Sequence, residues 1–404
     1  MKKSSFIVFI SLLLVISACS AENPTKKESQ TTENTDLIEK STEENITSAQ
    51  VQEVSQDSND LDVYTKLDNV MTHFEKYYNF SGAVYVGMRG EEIYSNTFGK
   101  ADFDQNIANT LDTKFIIGSL TKQFTAAAIL LLKERGLLEL EHQITDYLPD
   151  LSKWEGVTIH HLLSMSSGIV STDHPYFAES LEKKFGSNIP YSITEEEAIA
   201  IYQDIPLNFN PGEKFEYSNS NYLILGLIIE RTTEESYDKF LEKNIFEPLA
   251  MLNTGYSVNW EVLENKAQGY EKINTENDFY PIQYDYYITH SSSGLYTTMN
   301  DLVTWDRALY SAKLLKKETI AKMYAPYTNI PSNFEYGSEY DYGYGWFTQE
   351  KKVEHAGDLP GFIANFYREL NTELVIIILS NNESLDRDKM RSLTNTLTNI
   401  VNGD

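Results

Sequence analysis

Close to its C-terminal end the chain reads Glu373-Leu374-Val375-Ile376-Ile377-Ile378-Leu379, a continuous, largely β-branched apolar run. Such a run has no wet face to alternate with, so it predicts a central strand covered on both sides. A sheet containing such a strand needs a packed layer on each face. Met390, Leu393, Leu397 and Ile400 follow at helical spacing and predict a closing amphipathic helix. The other end of the ordered region offers matching pieces. Val63, Leu67, Val70, Met71 and Phe74 predict a helix, and Gly82 to Gly87 with Ile93 to Phe98, around Arg89-Gly90-Glu91, predict a β-hairpin. About 120 to 260 reads mostly as helices joined by loops. The expectation is one sheet built from both chain ends with a helical insert between them. With 404 residues and 41% hydrophobic content, a single two-part catalytic unit with a large core fits the length.

Before this region the composition changes. Lys2 and Lys3 precede an apolar run from Phe6 to Ile16 broken by Ser11, shorter than the ~20 residues of a spanning helix. Residues 1–18 are therefore expected to be a signal peptide. Ile16-Ser17-Ala18 then lead into Cys19, the sole cysteine, and this resembles the bacterial lipobox. The resemblance implies cleavage before Cys19 and a diacylglycerol on its sulfur; the alternative is an ordinary leader with an incidental cysteine. Two acyl chains hold a membrane far better than one, so an extracytoplasmic, membrane-anchored lipoprotein is the expected localisation. Residues 19–60 read as a tether: Ser20 to Asp60 has no aromatic residue and ten acids against three lysines. Such a segment cannot bury enough apolar surface to offset its ordering entropy. The ordered domain is expected over 61–404, with the sheet from about 61–118 and 285–404 and the helical part at about 119–284. Removal of Lys2 and Lys3 with the leader takes the formal net charge from -27 to -29. That would repel a phosphate backbone and excludes nucleic acid as a partner. Acidity also suits solubility or a basic substrate.

The chemistry-bearing run is Gly118-Ser119-Leu120-Thr121-Lys122, followed by strong helix formers until Gly136, a candidate C-cap. Ser119 is thus expected at a helix N-terminus. Residues three apart share a helix face, so the Lys122 amine can reach the Ser119 hydroxyl and serve as its base. It must then have a pKa far below about 10.4, which burial and a neighbouring cation provide. The Ser119 N–H, at the positive helix end, is placed to stabilise an oxyanion. Ser-x-x-Lys alone occurs by chance on many helices. Two further clusters accompany it: Tyr217-Ser218-Asn219 at a loop-to-helix junction, and His355-Ala356-Gly357 at the end of a short strand, Lys352 to Ala356.

These three motifs, in this order, resemble the serine β-lactamase and penicillin-binding protein superfamily, in its class C and D,D-peptidase-like branch. Phe80-Ser-Gly-Ala-Val84, Tyr147-Leu-Pro149, His161-Leu-Leu-Ser-Met-Ser-Ser-Gly168, Gly294-Leu-Tyr296 and Asn300-Asp301 extend the likeness across 61–404. The resemblance implies an α/β (α+β) fold with a central antiparallel sheet flanked by helices and a mostly helical inserted subdomain. It implies an acyl-enzyme on Ser119, proton transfers shared by Lys122 and Tyr217, and substrate binding by Asn219, His355 and Gly357. The oxyanion would lie between the N–H groups of Ser119 and Asp358. No cofactor and no metal are implied, and the partner is a small-molecule or cell-wall peptide or ester substrate. No feature specifies an oligomeric state.

One departure bears on the substrate. The middle residue of the third motif commonly carries a hydroxyl that helps bind the substrate carboxylate; here it is Ala356, and Asp358 adds a negative charge nearby. Ring-opening of β-lactams thereby loses ground to ester hydrolysis or to a substrate with an amine or amide at that position. A binding protein that acylates without turnover, or a receptor-like pseudoenzyme, is the alternative from another class. Ser291-Ser292-Ser293 could line the cleft or merely space a loop. Tyr284, Tyr286, Tyr287, Tyr336, Tyr340, Tyr342 and Tyr344 could form a stacking wall or pack over the core. His160 and His161, being adjacent, face different ways on a helix and make a poor metal pair.

Overall fold

The computed structural model describes residues 62–186, 194–272, 279–281, 290–337 and 339–403. The leader, Cys19, the tether and Tyr284, Tyr286 and Tyr287 lie outside the described residues. Helix α1 (Val63–Tyr78) begins where the Asp62 carboxylate accepts the Thr65 N–H and ends at Asn79 in the left-handed conformation. Strands β1 (Gly82–Met88) and β2 (Glu91–Phe98) form the expected hairpin. Its turn residues Arg89 and Gly90 both have positive φ, as the twist of a two-residue connection demands.

The remaining sheet strands come from the other end of the chain: β3 (Thr328–Asn329), β4 (Asp341–Tyr342), β5 (Phe347–Thr348), β6 (Lys352–Leu359), β7 (Phe362–Glu369) and β8 (Leu374–Ser380). They make one eight-stranded antiparallel sheet in the order β3-β4-β5-β6-β7-β8-β1-β2. The apolar run is β8, paired with β7 on one side and β1 on the other, and every residue in it is buried. Its period of two divides the interior. Val375, Ile377 and Leu379 join the core beneath the helical part, whereas Leu374, Ile376 and Ile378 join a second core with α1 and α5 (Arg387–Asn402). Both sheet faces are therefore covered, as the run required.

The middle of the chain is largely helical. Helix α2 (Thr121–Glu134) is buried from Thr121 to Leu132, α3 (Asn219–Thr233) from Ser220 to Ile229, and α4 (Met299–Ser311) packs against β1 and β8. A small three-stranded sheet pairs Phe115–Ile116 and Gly255–Tyr256 with Leu295–Thr297, tying the helical part to the segment just before α2. One boundary differs from expectation and another is sharpened. β6 extends through Leu359, because its pairing with β7 continues to the Pro360-Gly361 turn. α3 starts at Asn219, so the amide of the second motif sits in the first helical turn.

Candidate active site

Ser119 lies in the single turn Gly118–Leu120 that leads directly into α2, and its side chain is only part-buried. That turn is pressed against β6. A Cβ on Gly357 would stand 1.9 Å from the Ile117 carbonyl oxygen, and one on Gly118 would stand 2.8 Å from the Asp358 nitrogen. Gly118 also has φ +50. Only two glycines in contact allow the nucleophile turn and the third motif to approach this closely. The two-residue hairpin makes Leu359–Phe362 a pair that exchanges hydrogen bonds, so alternation turns the Asp358 N–H away from β7, toward the Ser119 turn.

Lys122, one helical turn on, is completely buried. Its Nζ meets the Ser119 hydroxyl at 3.0 Å, Asn219 Oδ1 at 2.8 Å and the Ser292 carbonyl at 3.1 Å. Burial, seconded by the Arg387 charge, pushes its pKa well below the usual lysine value. The partner chemistry then sorts itself. Asn219 Oδ1 and the Ser292 carbonyl can only accept, so they take the two N–H groups of a neutral amine. Its lone pair is left facing Ser119, the one partner with a proton to give. The amine also lies 4.9 Å above the Tyr217 ring.

Tyr217 is held by aromatic neighbours, its ring centroid 6.2 Å from both Phe334 and Phe347. Burial raises its pKa, against the opposing effect of the Ser119 hydroxyl, so the phenol keeps its proton. Asn219 donates its backbone N–H to Ser171 at 3.2 Å while its side-chain oxygen serves Lys122. In this arrangement it positions the Lys122 amine.

His355 is buried and both ring nitrogens meet protein partners. The Ala356 carbonyl, 2.7 Å from Nδ1, can only accept, so Nδ1 carries the proton; Nε2, 3.1 Å from the Tyr342 hydroxyl, accepts from it. Burial, with Lys122 second, lowers its pKa to about 3. The expected substrate contact is thus a neutral ring locked between β4 and β6. Ser291, Ser292 and Ser293 form a buried helical turn, and the Ser291 carbonyl accepts from Thr125 at 2.6 Å. Of the described tyrosines in the cluster, Tyr340, Tyr342 and Tyr344 are buried, bonded to Glu354, His355 and His160 respectively. They pack over the core.

Sequence reasoning offers Ser292 as a residue that lines the cleft or spaces a loop but misses its carbonyl's contact with Lys122, which no side chain advertises, and it misses Arg387 and Glu335 altogether. Arg387, the first residue of α5, holds the Asp358 carboxylate at 3.3 Å and pairs with Glu335. No spacing links these three positions in the chain; the fold alone brings them to the cleft rim.

The comparisons with known proteins agree with this geometry. A sequence profile of the family described as Beta-lactamase matches residues 67–397. Penicillin-binding protein 4* of Bacillus subtilis (strain 168) is 28% identical over 338 residues, 79% of this chain and 72% of that protein. The octameric penicillin-binding protein homologue from Pyrococcus abyssi superposes with a TM-score of 0.72 at 27% identity, covering 85% of this chain and 78% of that one. A penicillin binding protein from Bacillus halodurans gives 0.69 at 25% identity, covering 80% and 98%. With its sheet order, its paired serine and lysine, and a family match that spans nearly all of the described residues, the chain belongs to the Beta-lactamase family and is a serine hydrolase of that superfamily.

Proposed function

We propose that this protein is a cell-envelope hydrolase that forms an acyl-enzyme on Ser119 and acts on a cell-wall-related peptide, amide or ester. The buried Lys122 amine, 3.0 Å from the Ser119 hydroxyl and with two pure acceptors on its other side, carries this reading. Lys122 takes the Ser119 proton as Oγ attacks the substrate carbonyl. The N–H groups of Ser119 and Asp358 receive the oxyanion, each such donor worth ~10²- to 10³-fold in rate. Tyr217, still protonated, passes a proton to the leaving group and recovers one from Lys122. Water then releases the acyl group by the same transfers in reverse.

A fluorophosphonate probe tests the nucleophile. It should label the wild-type protein at Ser119 and leave Ser119→Ala unlabelled; no adduct on the wild type sinks the reading. A panel of esters, D-amino-acid amides, D-Ala-D-Ala peptides and nitrocefin then separates outcomes. Efficient turnover of nitrocefin or of D-Ala-D-Ala peptides would make the protein a β-lactamase or a D,D-carboxypeptidase, and a lasting adduct without turnover would make it a trap. The proposed site of action is the outer face of the cell membrane, through lipid on Cys19, on the strength of the lipobox-like sequence. Cys19→Ala should then move the protein from the membrane fraction to the medium.

A further inference from the structure

The end of the cleft beside Ala356 has an unusual charge inventory. Ala356 offers no hydroxyl there. His355, locked between Tyr342 and the Ala356 carbonyl, carries no charge. The cation at the rim is Arg387, and it is already engaged by two carboxylates: Asp358, 41% exposed, and Glu335, 33% exposed. Glu335 is fixed in place by two other contacts of its segment. Its carbonyl accepts from Arg391 Nη2 at 3.0 Å, and the neighbouring Phe334 stacks on Tyr217, the proton-transfer residue. Arg391 lies with its guanidinium 5.3 Å over the Tyr336 ring and adds a second positive charge behind the segment. On the opposite side Glu383 accepts the Gly361 N–H at 2.8 Å and feels the negative charges of Asp358 and Glu271. Carboxylates outnumber guanidinium groups around this opening, and the nearest guanidinium is held between two of them.

We propose that Glu335 and Asp358, by jointly engaging Arg387, set the charge selectivity of the cleft, so that the preferred acyl substrate presents an ammonium or similar cation beside Ala356. A substrate carboxylate there meets a guanidinium whose charge Glu335 and Asp358 already share and is repelled by both carboxylates, whereas a cation completes the cluster. This inference rests on Ser119 chemistry and names the substrate class for it.

The experiment uses the full chain and three chromogenic esters that differ only in one end group: ammonium, carboxamide or carboxylate. Boronic acids with the same three end groups are competed in parallel against fluorophosphonate labelling of Ser119. The ammonium compound should be preferred over the carboxylate by about tenfold or more, equivalent to ~1.4 kcal/mol. In Glu335→Gln/Asp358→Asn, with Arg387 released, the order should reverse. Should that variant fail to fold, the wild type still decides: the preference must shrink as ionic strength approaches about 1 M, where the Debye length is about 3 Å. A wild-type preference for the carboxylate, a preference unchanged in the folded double variant, or indifference to salt overturns the proposal. Labelling at Ser119 with no charge preference defeats this inference alone; absence of labelling defeats the hydrolase reading as well.

Discussion

Lys122 shows how one residue is made reactive by what surrounds it. Its amine is removed from water, near the Arg387 charge, and given two acceptors that cannot return a proton. In the proposed mechanism activity needs the neutral amine. A base with a depressed pKa gains its proton as pH falls through that value, so kcat/KM should show an acid limb well below the ordinary lysine range. A rise that begins only near pH ~10, the free lysine value, would contradict this. His355 titrates near about 3 and adds no limb around neutrality. The same shift has a stability sign. In the window between the lowered pKa and about 10.4 the unfolded chain binds the extra proton, so the cost that Lys122 imposes on folding diminishes as pH rises. Tyr217→Phe, which removes the phenol while keeping the ring between Phe334 and Phe347, should lower kcat about 10²- to 10⁴-fold with little change in melting temperature. Ala356 borders a cavity of about 20 Å³ shared with Tyr336, Asn365 and Met390. That is room for one added oxygen. Ala356→Ser should therefore fold normally and improve the turnover of a carboxylate-ended substrate relative to a neutral one, as paired kcat/KM values would show.

Among elements, the contact between the Ser119 turn and β6 is the least forgiving. Gly357→Ala would place a methyl 1.9 Å from the Ile117 carbonyl oxygen, so strand and turn must part. The expected result is loss of at least about 10² in kcat/KM, since misplacement of about 1 Å is enough for that. Fluorophosphonate labelling rates would report it. A second linkage holds β7 to α4. Arg368 and Asp306, 1% and 5% exposed, pair at 2.8 Å, and the guanidinium lies 4.0 Å over the Tyr310 ring. Asp306→Leu leaves the buried guanidinium without its counter-charge and should cost about 3 to 5 kcal/mol in denaturant melts. Replacing both partners by apolar residues should restore much of it. This pair illustrates what spacing along a chain cannot reveal, because Asp306 and Arg368 lie 62 positions apart and neither belongs to a motif.

At the scale of the whole molecule, what could be read in advance was what has a local signature. The β-branched run specified a doubly covered strand, and helical spacing at both ends supplied the layer on its outer face. Ser119 and Lys122 share a helix turn, so their meeting was legible too. The carbonyl of Ser292, the engagement of both His355 nitrogens and the Glu335–Arg387–Asp358 group were not. Each depends on segments brought together by the sheet order, which no periodicity encodes. That order has a consequence in time. β1 pairs with β8, and the Ser380 hydroxyl reaches the Ser81 carbonyl across 299 positions of chain. Loop closure over such a span comes late in folding. The Ser119 turn is braced by β6, β6 by β7 and β7 by β8, so a growing or partly folded chain holds no assembled site. During refolding, labelling competence at Ser119 should appear together with amide protection in β8 and never before it. The last strand to arrive thus acts as the arming step, keeping the Ser119 hydroxyl without its assembled surroundings until the whole sheet has closed.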